Sequence, residues 1–278
     1  MKLPTPSKTT LTLQNTLKEA AQKLLNAKIE SAWLDAELIL AFILKKSRTH
    51  ILSHDELLLN KIQFKKFNLL IKQRLNFVPI AYILGYKEFY GLKFKVTKDT
   101  LVPRPESELM VEEALRYINP KTLVIDIGTG SGCLLVSILN NSKAKGLAID
   151  ISKKALSIAK QNAKAHTLSK RIAFKQSDLL SNIKVPKTNL VILANLPYLN
   201  DKEMKEKTIS KEPKTALYGG TDGLIYYKKL KQQLKDYSNY TLLCEINPGQ
   251  KNGFKKIFTK AELKKDLSGK IRLAIIKK

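Results

Sequence analysis

The chain has 278 residues, 44% of them hydrophobic, and a formal net charge of +26. It is long enough for one large domain or two moderate ones. No apolar run reaches the length of a membrane span and the first residues contain no apolar signal core, so we expect neither a membrane protein nor a signal peptide.

The cysteines and histidines indicate a reduced compartment and no metal site. Cys133 and Cys244 lie far apart in the sequence, each within an apolar segment, which is typical of small core residues in a cytoplasmic protein. His50, His54 and His166 form no metal-ligand spacing with them. We therefore expect a cytoplasmic protein without a bound metal.

The positive charge has two explanations that the sequence leaves open. It could serve a polyanionic partner such as RNA. However, most of the 50 basic residues are lysines spread over the whole chain, whereas sites that grip phosphate favour the bidentate fork of arginine. The spread of lysine favours a composition bias over a designed nucleic-acid surface, although weak association with nucleic acid stays open.

The first part of the chain predicts a small helical domain over residues 1–75. Apolar residues recur at three- and four-residue spacing in 13–27, 31–46 and 55–75. Ser31 and Asp55 are candidate helix N-caps. Residues 76–105 contain the first glycines and a short alternating stretch, which indicates a β-hairpin or linker.

From about residue 106 onward, strand-like and helix-like segments alternate. This alternation predicts an α/β fold with a doubly wound, mostly parallel sheet, in which the closing strands can pair antiparallel. We place the boundaries of this larger domain at 106–278.

A glycine-rich loop follows the first predicted strand of that domain. The stretch Val124-Ile125-Asp126-Ile127-Gly128-Thr129-Gly130-Ser131-Gly132-Cys133 lacks the lysine of a phosphate-binding P-loop and has the wrong glycine spacing for a dinucleotide site. Its form, D-x-G-x-G-x-G, resembles motif I of S-adenosylmethionine-dependent methyltransferases. That resemblance implies cofactor-binding roles for Asp126 and for the loop residues Gly128, Thr129, Gly130, Ser131 and Gly132.

Two further acids follow the next strands. Asp150 ends the second strand, roughly 20 residues after the loop, where an acid binds ribose hydroxyls in switch-point sites. Asp178 ends the third strand and could accept hydrogen bonds from an adenine amino group, with Leu179 beside the ring. A single Asp at such a place is more often a helix cap. Three acids at successive strand ends favour one binding site.

The fourth strand ends in Asn195-Leu196-Pro197-Tyr198. A planar amide-type nitrogen is a poor nucleophile, and an enzyme can help by accepting both of its N–H groups. The Asn195 side-chain oxygen and the Leu196 carbonyl are the predicted acceptors. Pro197 fixes the direction of that carbonyl, and Tyr198 offers a flat face.

This stretch resembles the N-P-P-Y motif of amino methyltransferases, which act on base amines or on glutamine amides. The N-L-P-Y spelling is also common in dimethyladenosine rRNA methyltransferases, whereas glutamine-specific enzymes usually have proline at the position of Leu196. The motif alone indicates the type of nitrogen and not the substrate.

Other segments resemble the PrmC/HemK family of protein-(glutamine-N5) methyltransferases. They are Pro79 to Val96 followed by Pro103-Arg104-Pro105-Glu106, together with 31–40, 211–224 and 266–275. The resemblance covers nearly the whole chain in the same order, whereas an rRNA dimethylase carries its helical module after the methyltransferase core.

The resemblance implies transfer of a methyl group from S-adenosylmethionine to the glutamine of the Gly-Gly-Gln motif of class I peptide-chain release factors. It also implies that the helical domain docks the release factor, and we expect the chain to act as a monomer. The alternatives are an adenine-N6 methyltransferase acting on rRNA or DNA, and a non-catalytic RNA-binding assembly factor. The intact glycine loop, Asp150 and Asn195 argue against the second alternative.

Overall fold

A computed structural model describes residues 12–184 and 188–278. The chain divides into two compact units, Met1–Leu84 and Gly85–Lys278, so the segment 76–105 predicted as a linker spans the division. The first 11 residues of the predicted helical domain lie outside the described residues, as do 185–187. Among the helices of the described ranges, none has the length and apolar character needed to span a bilayer.

The first unit is helical, as the apolar spacing predicts. Its helices are α1 (Leu13–Asn26), α2 (Ala32–Leu44), α3 (Arg48–Ser53), α4 (Lys61–Leu75) and α5 (Ile80–Leu84). Their apolar faces form one core that includes Leu24, Ile39, Leu40, Ile51 and Phe67. Inside this unit Arg74 Nε donates to the buried Asp35 carboxylate over 2.6 Å.

Of the two predicted helix N-caps in this unit, Ser31 is confirmed by position and Asp55 is wrong. The helix expected to begin at Asp55 begins at Lys61, where Asn60 and Gln63 form a reciprocal capping box. This box satisfies two backbone N–H groups at once, which fixes the start of the helix there. Ser31 occupies the N-cap position of α2, as predicted, but its hydroxyl donates to the Asp35 side chain over 2.8 Å and not to a backbone group of the first turn.

The second unit begins with an antiparallel hairpin of β1 (Tyr86–Phe89) and β2 (Leu92–Lys95), as the alternating stretch predicts. A 3-10 turn at Pro105–Ser107 then leads into α6 (Glu108–Leu115). The sheet follows.

Its strands are β3 (Leu123–Ile127), β4 (Lys145–Asp150), β5 (Ile172–Gln176), β6 (Leu190–Ala194), β7 (Tyr240–Glu245), β8 (Glu262–Lys265) and β9 (Ile271–Lys277). The helices between them are α7 (Cys133–Asn140), α8 (Lys153–Ala165), α9 (Ile225–Gln233) and α10 (Lys251–Ile257).

The strand order is β5-β4-β3-β6-β7-β9-β8. Strands β3 to β7 run parallel, and β9 and β8 close the sheet antiparallel. Because successive side chains of a strand face opposite sides, Ile125 and Ile192 belong to one core, with α9 and α10, while Val124 and Val191 belong to the other, with α6, α7 and α8. The predicted doubly wound α/β class is confirmed.

One element near the C-terminus differs from the prediction. The helix expected over 253–265 ends at Ile257, and Glu262–Lys265 forms the edge strand β8 paired with β9. A short charged segment carries little apolar periodicity, so its strand state depends on the neighbouring strand that it pairs with.

Candidate active site

Strand register brings four chemically distinct residues into one row at the carboxyl edge of the sheet. At this edge the last paired residue of β3 is Ile127, which pairs with Ile149 of β4 and with Ala194 of β6. Ala194 in turn pairs with Cys244 of β7. The next residues along these strands are Gly128, Asp150, Asn195 and Glu245. The strand order reverses between β3 and β6, because the connection after β3 leads to β4 on one side and the connection after β6 leads to β7 on the other. Ligands of such sheets bind at this reversal.

The glycine loop adopts backbone angles that are unfavourable for residues with a side chain. Gly128, Gly130 and Gly132 have φ values of 70°, 54° and 79°. A Cβ on Gly132 would lie 3.1 Å from the Ala159 Cβ on α8, so glycine permits the close approach of the two helices. The Thr129 N–H donates to the Ile149 carbonyl over 2.9 Å and holds the loop against β4.

Asp126 lies behind the loop. Its side chain is buried and accepts a hydrogen bond from the Thr129 hydroxyl over 2.6 Å. Burial, together with the nearby Asp150 charge, raises the pKa of this carboxyl to about 7. Thr129, Ser131 and Gly132 are also buried. These four residues shape the loop, and their direct contact with a cofactor stays a prediction.

Asp150 lies at the mouth of the same loop. Its two carboxylate oxygens accept the Gly130 N–H over 2.9 Å and the Ser152 N–H over 2.8 Å. Burial raises the pKa of this carboxyl, and the two N–H donors offset only part of that rise. A carboxylate has about four acceptor positions, so roughly two remain for hydroxyl donors.

The third acid has a different environment. Asp178 forms an ion pair with Lys229 of α9, and both side chains are about 40% exposed, at 41% and 43%. Leu179 beside it has a left-handed backbone with φ 52°, which is costly for a branched residue. Asp178 and Leu179 face the same cleft as Asp150.

This first cleft fits a nucleoside cofactor with a charged tail. Its wall contains the backbone of Gly128 and Gly130, the acids Asp150 and Asp178, and apolar surface from Leu179 and Tyr226. Asp150 suits ribose hydroxyls, and Leu179 suits the face of a purine. A Cβ at Gly128 would extend toward Leu196 and the Asn195 carbonyl, residues that also line this cleft. Its absence leaves space there for a charged tail.

The Asn195 side-chain nitrogen is held by two acceptors of the protein. Nδ2 donates to Ser107 Oγ over 3.1 Å and to Glu245 Oε2 over 2.9 Å. Because Ser107 Oγ and Glu245 Oε2 are themselves 2.5 Å apart, one N–H group points between them, and Oδ1 occupies the other branch of the amide. Leu196 is buried, while Pro197 and Tyr198 are partly exposed.

Glu245 is a residue of this site that the sequence reasoning missed. Its buried carboxylate accepts from Ser107 Oγ over 2.5 Å and from the Tyr198 hydroxyl over 3.2 Å, besides Asn195. Burial raises the pKa of this carboxyl, and the hydrogen bonds from Ser107 and Tyr198 and the Arg272 charge offset only part of that rise. An acid at the end of the apolar stretch Leu242-Leu243-Cys244 was the available signal, of the same kind as that of Asp126 and Asp150.

The Asn195–Tyr198 turn is held from behind by two other segments. The Leu199 N–H donates to the Leu217 carbonyl, and the Gly219 N–H donates to the Leu199 carbonyl, both over 2.8 Å. Gln250 Nε2 donates to the Tyr198 carbonyl over 2.7 Å. A Cβ at Gly219 would lie 2.5 Å from the Pro197 carbonyl oxygen, so this turn packs directly against a glycine backbone.

A second cleft meets the first at this turn. The two share Leu101, Asn195, Leu196 and Ala216. The second cleft also has Arg104, Tyr198, Glu203 and Glu206 in its wall. Arg104 is held by the buried Glu212 over 2.5 Å, and Glu212 also accepts the Val102 N–H. The charged groups of this cleft therefore have a negative balance, in contrast to the whole chain.

Comparison with known proteins identifies both parts of the chain. A family model described as the PrmC N-terminal domain matches residues 15–85, and one described as a methyltransferase domain matches 118–264. The catalytic domain of hMettl16, solved in complex with MAT2A 3′UTR hairpin 1, has a TM-score of 0.52 at 16% identity, covering 85% of this chain and 89% of that chain. This last similarity concerns the fold alone.

Curated relatives are more similar in sequence. A release factor glutamine methyltransferase of Coxiella burnetii is 37% identical over 82% of each chain. One of Buchnera aphidicola subsp. Acyrthosiphon pisum is 35% identical over 96% of this chain and 99% of its own length. These matches confirm the resemblance seen in the motifs: the chain belongs to the family of release factor glutamine methyltransferases.

Proposed function

We propose that this enzyme transfers a methyl group from S-adenosylmethionine to the side-chain amide nitrogen of the glutamine in the Gly-Gly-Gln motif of class I release factors. The observation that carries the proposal is the meeting of two clefts at Asn195 and Leu196. One cleft has the groups that suit a nucleoside cofactor, and the other offers hydrogen-bond acceptors and an aromatic ring to a planar amide.

The residues of this chain have separable roles in the proposal. Asp150 would hold ribose hydroxyls, Asp178 and Leu179 the adenine, and the glycine backbone the charged tail. When bound, S-adenosylmethionine supplies an electrophilic methyl group on a sulfonium centre. The chain must then present the amide nitrogen in the correct direction.

Asn195 and Leu196 would provide that direction. The Asn195 Oδ1 and the Leu196 carbonyl each accept one N–H of the substrate amide, which leaves the nitrogen lone pair perpendicular to the amide plane. Tyr198 packs against that plane. Holding reactive groups in this way is a large source of rate enhancement, and acceptors fixed before the reaction cost no reorganisation.

The charges of the second cleft favour a protein substrate over a nucleic acid. Glu203 and Glu206 lie in its wall, and the charge of Arg104 is balanced by Glu212. A phosphate backbone needs Lys or Arg contacts along its path. The adenine-N6 alternative is therefore disfavoured at the site itself, and the net charge of +26 would support only weak association with nucleic acid.

We also propose that the helical unit docks the release factor. Large apolar side chains on this unit are exposed, including Ile62 at 81%, Leu58 at 62% and Trp33 at 50%. Where such side chains form one contiguous patch, they mark an interaction surface, and in the proposal the release factor covers them. Because one chain supplies the walls of both clefts, the proposal is a monomeric enzyme, acting in the cytoplasm where translation terminates.

The direct test uses labelled S-adenosylmethionine with separately purified release factor, rRNA and DNA. We expect label on the release factor and none on the nucleic acids. A release factor with Gly-Gly-Ala in place of Gly-Gly-Gln is the control and should stay unlabelled. Label on nucleic acid, or equal label on the control factor, would contradict the proposal.

A further inference from the structure

A buried carboxylate lies directly behind the turn that carries the proposed acceptors. Glu245 follows Cys244, which pairs with Ala194, so it lies beside Asn195 on the neighbouring strand. Burying a carboxylate is costly unless donors compensate for the lost water. Glu245 has such donors in Ser107, Asn195 and Tyr198.

The hydrogen bonds around Asn195 have only one consistent direction. Ser107 Oγ donates its single proton to Glu245 Oε2 over 2.5 Å, so toward Asn195 it can only accept. Asn195 Nδ2 therefore donates to both Ser107 and Glu245. If the amide were flipped, its oxygen would face a carboxylate oxygen and a hydroxyl oxygen with no proton left to share.

From this arrangement we infer that Glu245 is a positioning residue, which sets the amide orientation of Asn195 so that Oδ1 faces the substrate. Through the Tyr198 hydroxyl, the same carboxylate also holds the other end of the turn. Glu245 itself touches neither substrate nor cofactor in this scheme. The inference rests on the proposed methyl transfer and adds the group that makes Asn195 an acceptor.

Two substitutions separate positioning from charge. Glu245→Gln keeps one oxygen, which can still accept from Ser107 and Asn195, while its amide group can donate to the Tyr198 oxygen. Glu245→Met has a comparable length and no strong acceptor. We expect Glu245→Gln to keep kcat within about fivefold of wild type and Glu245→Met to lower it on the order of 10- to 100-fold, the range for loss of one preorganised contact.

The second measurement is a double-mutant cycle with Asn195→Ala. If Glu245 acts through Asn195, Glu245→Met should lower kcat by only about twofold or less in the Asn195→Ala background, because coupled residues are not additive. Glu113→Met is the matched control: Glu113 is a buried carboxylate of α6 that pairs with Arg116 over 3.5 Å. It should lower the melting temperature and leave kcat within about twofold.

The third measurement needs no catalysis. In ¹⁵N-labelled, ligand-free protein, the Asn195 side-chain amide signals are identified by their loss in Asn195→Ala. We expect the amide proton shared by Ser107 and Glu245 to exchange slowly with solvent in wild type and Glu245→Gln, and on the order of tenfold or more faster in Glu245→Met.

If the wild type methylates release factors, any one of three results would overturn the inference. The first is full activity in Glu245→Met. The second is an equal loss of kcat on Glu245→Met in the wild-type and Asn195→Ala backgrounds. The third is an Asn195 side-chain amide that exchanges no faster in Glu245→Met than in wild type. A wild type without activity on release factors would instead refute the proposed function, and the amide signals would still decide the role of Glu245.

Discussion

The Gly130 N–H donates to the Asp150 carboxylate over 2.9 Å. This bond joins the loop after β3 to the end of β4, although the residues are 20 positions apart in the sequence. It fixes both the loop and the acid before any ligand binds. Since the bond uses one acceptor position of the carboxylate and Ser152 uses another, Asp150 retains capacity for two further donors.

Asp150→Ala should therefore weaken S-adenosylmethionine binding. Loss of hydrogen bonds to a charged acceptor costs about 1–3 kcal/mol, which is roughly 5- to 150-fold in Kd. Calorimetry on the purified protein measures this directly. Asp236→Asn is the control, since Asp236 is exposed and should bind as wild type. Unchanged affinity in Asp150→Ala would contradict the assigned role.

Asn195→Ala should lower turnover on the order of a hundredfold or more, because it removes an acceptor that matters most in the transition state. Cofactor affinity should change far less, since the glycine loop and Asp150 stay. The assay is methyl transfer to a purified release factor at saturating cofactor, with Kd measured in parallel. Full turnover in this variant would show that the Asn195 oxygen takes no part.

Gly223→Ala should displace the Asn195–Tyr198 turn. Its Cβ would lie 2.0 Å from Gln250 Nε2 and 2.2 Å from the Tyr198 carbonyl oxygen, so the segments must separate. A shift of about 1 Å in a reacting group can cost on the order of a hundredfold in rate. We expect a loss of that size in kcat, together with a lower melting temperature.

Gly91→Ala is the matched control for that variant. Gly91 has φ 70° against 67° for Gly223, and a Cβ at Gly91 meets nothing within 4 Å. Both substitutions carry the same left-handed backbone strain of about 1–2 kcal/mol, and only one carries the collision. If the two variants lose activity equally, the packing of Gly223 against the turn is not what matters.

The buried Asp126 predicts a pH dependence of stability. Its folded pKa is raised from 3.8 to about 7, so between these values the folded state holds a proton that the unfolded state has released. Stability contributed by this group is therefore full below the unfolded pKa and falls as pH rises toward 7. The slope for one proton is at most about 1.4 kcal/mol per pH unit.

Asp126→Asn removes that titration and keeps an acceptor for the Thr129 hydroxyl. Between pH 5 and 7, wild type should lose more free energy of unfolding than the variant, as measured by urea unfolding at several pH values. Asp150 and Glu245 also have raised pKa values, and the comparison cancels them because both proteins keep them. Parallel pH profiles would contradict the raised pKa of Asp126.

The sequence by itself determined the class of the fold and predicted which strand ends carry most of the candidate site. Alternating apolar segments require a layered α/β sheet, and the carboxyl ends of parallel strands meet at one edge, so Asp150, Asp178 and Asn195 could be assigned to one site from their places after strands. The family motifs added the nitrogen type and the expected substrate.

Only the tertiary structure decided what surrounds Asn195. Ser107 and Glu245 lie 88 and 50 positions from it in the sequence, and neither belongs to a motif that predicts contact. Their meeting depends on the order of β3, β6 and β7 and on a register in which Ala194 faces Cys244. The start of α4 at Lys61 is a different case, because the capping box of Asn60 and Gln63 that sets it is a local sequence signal, which the choice of Asp55 overlooked. Local sequence specifies elements, whereas partners across the sheet follow from strand order and register, which no single segment encodes.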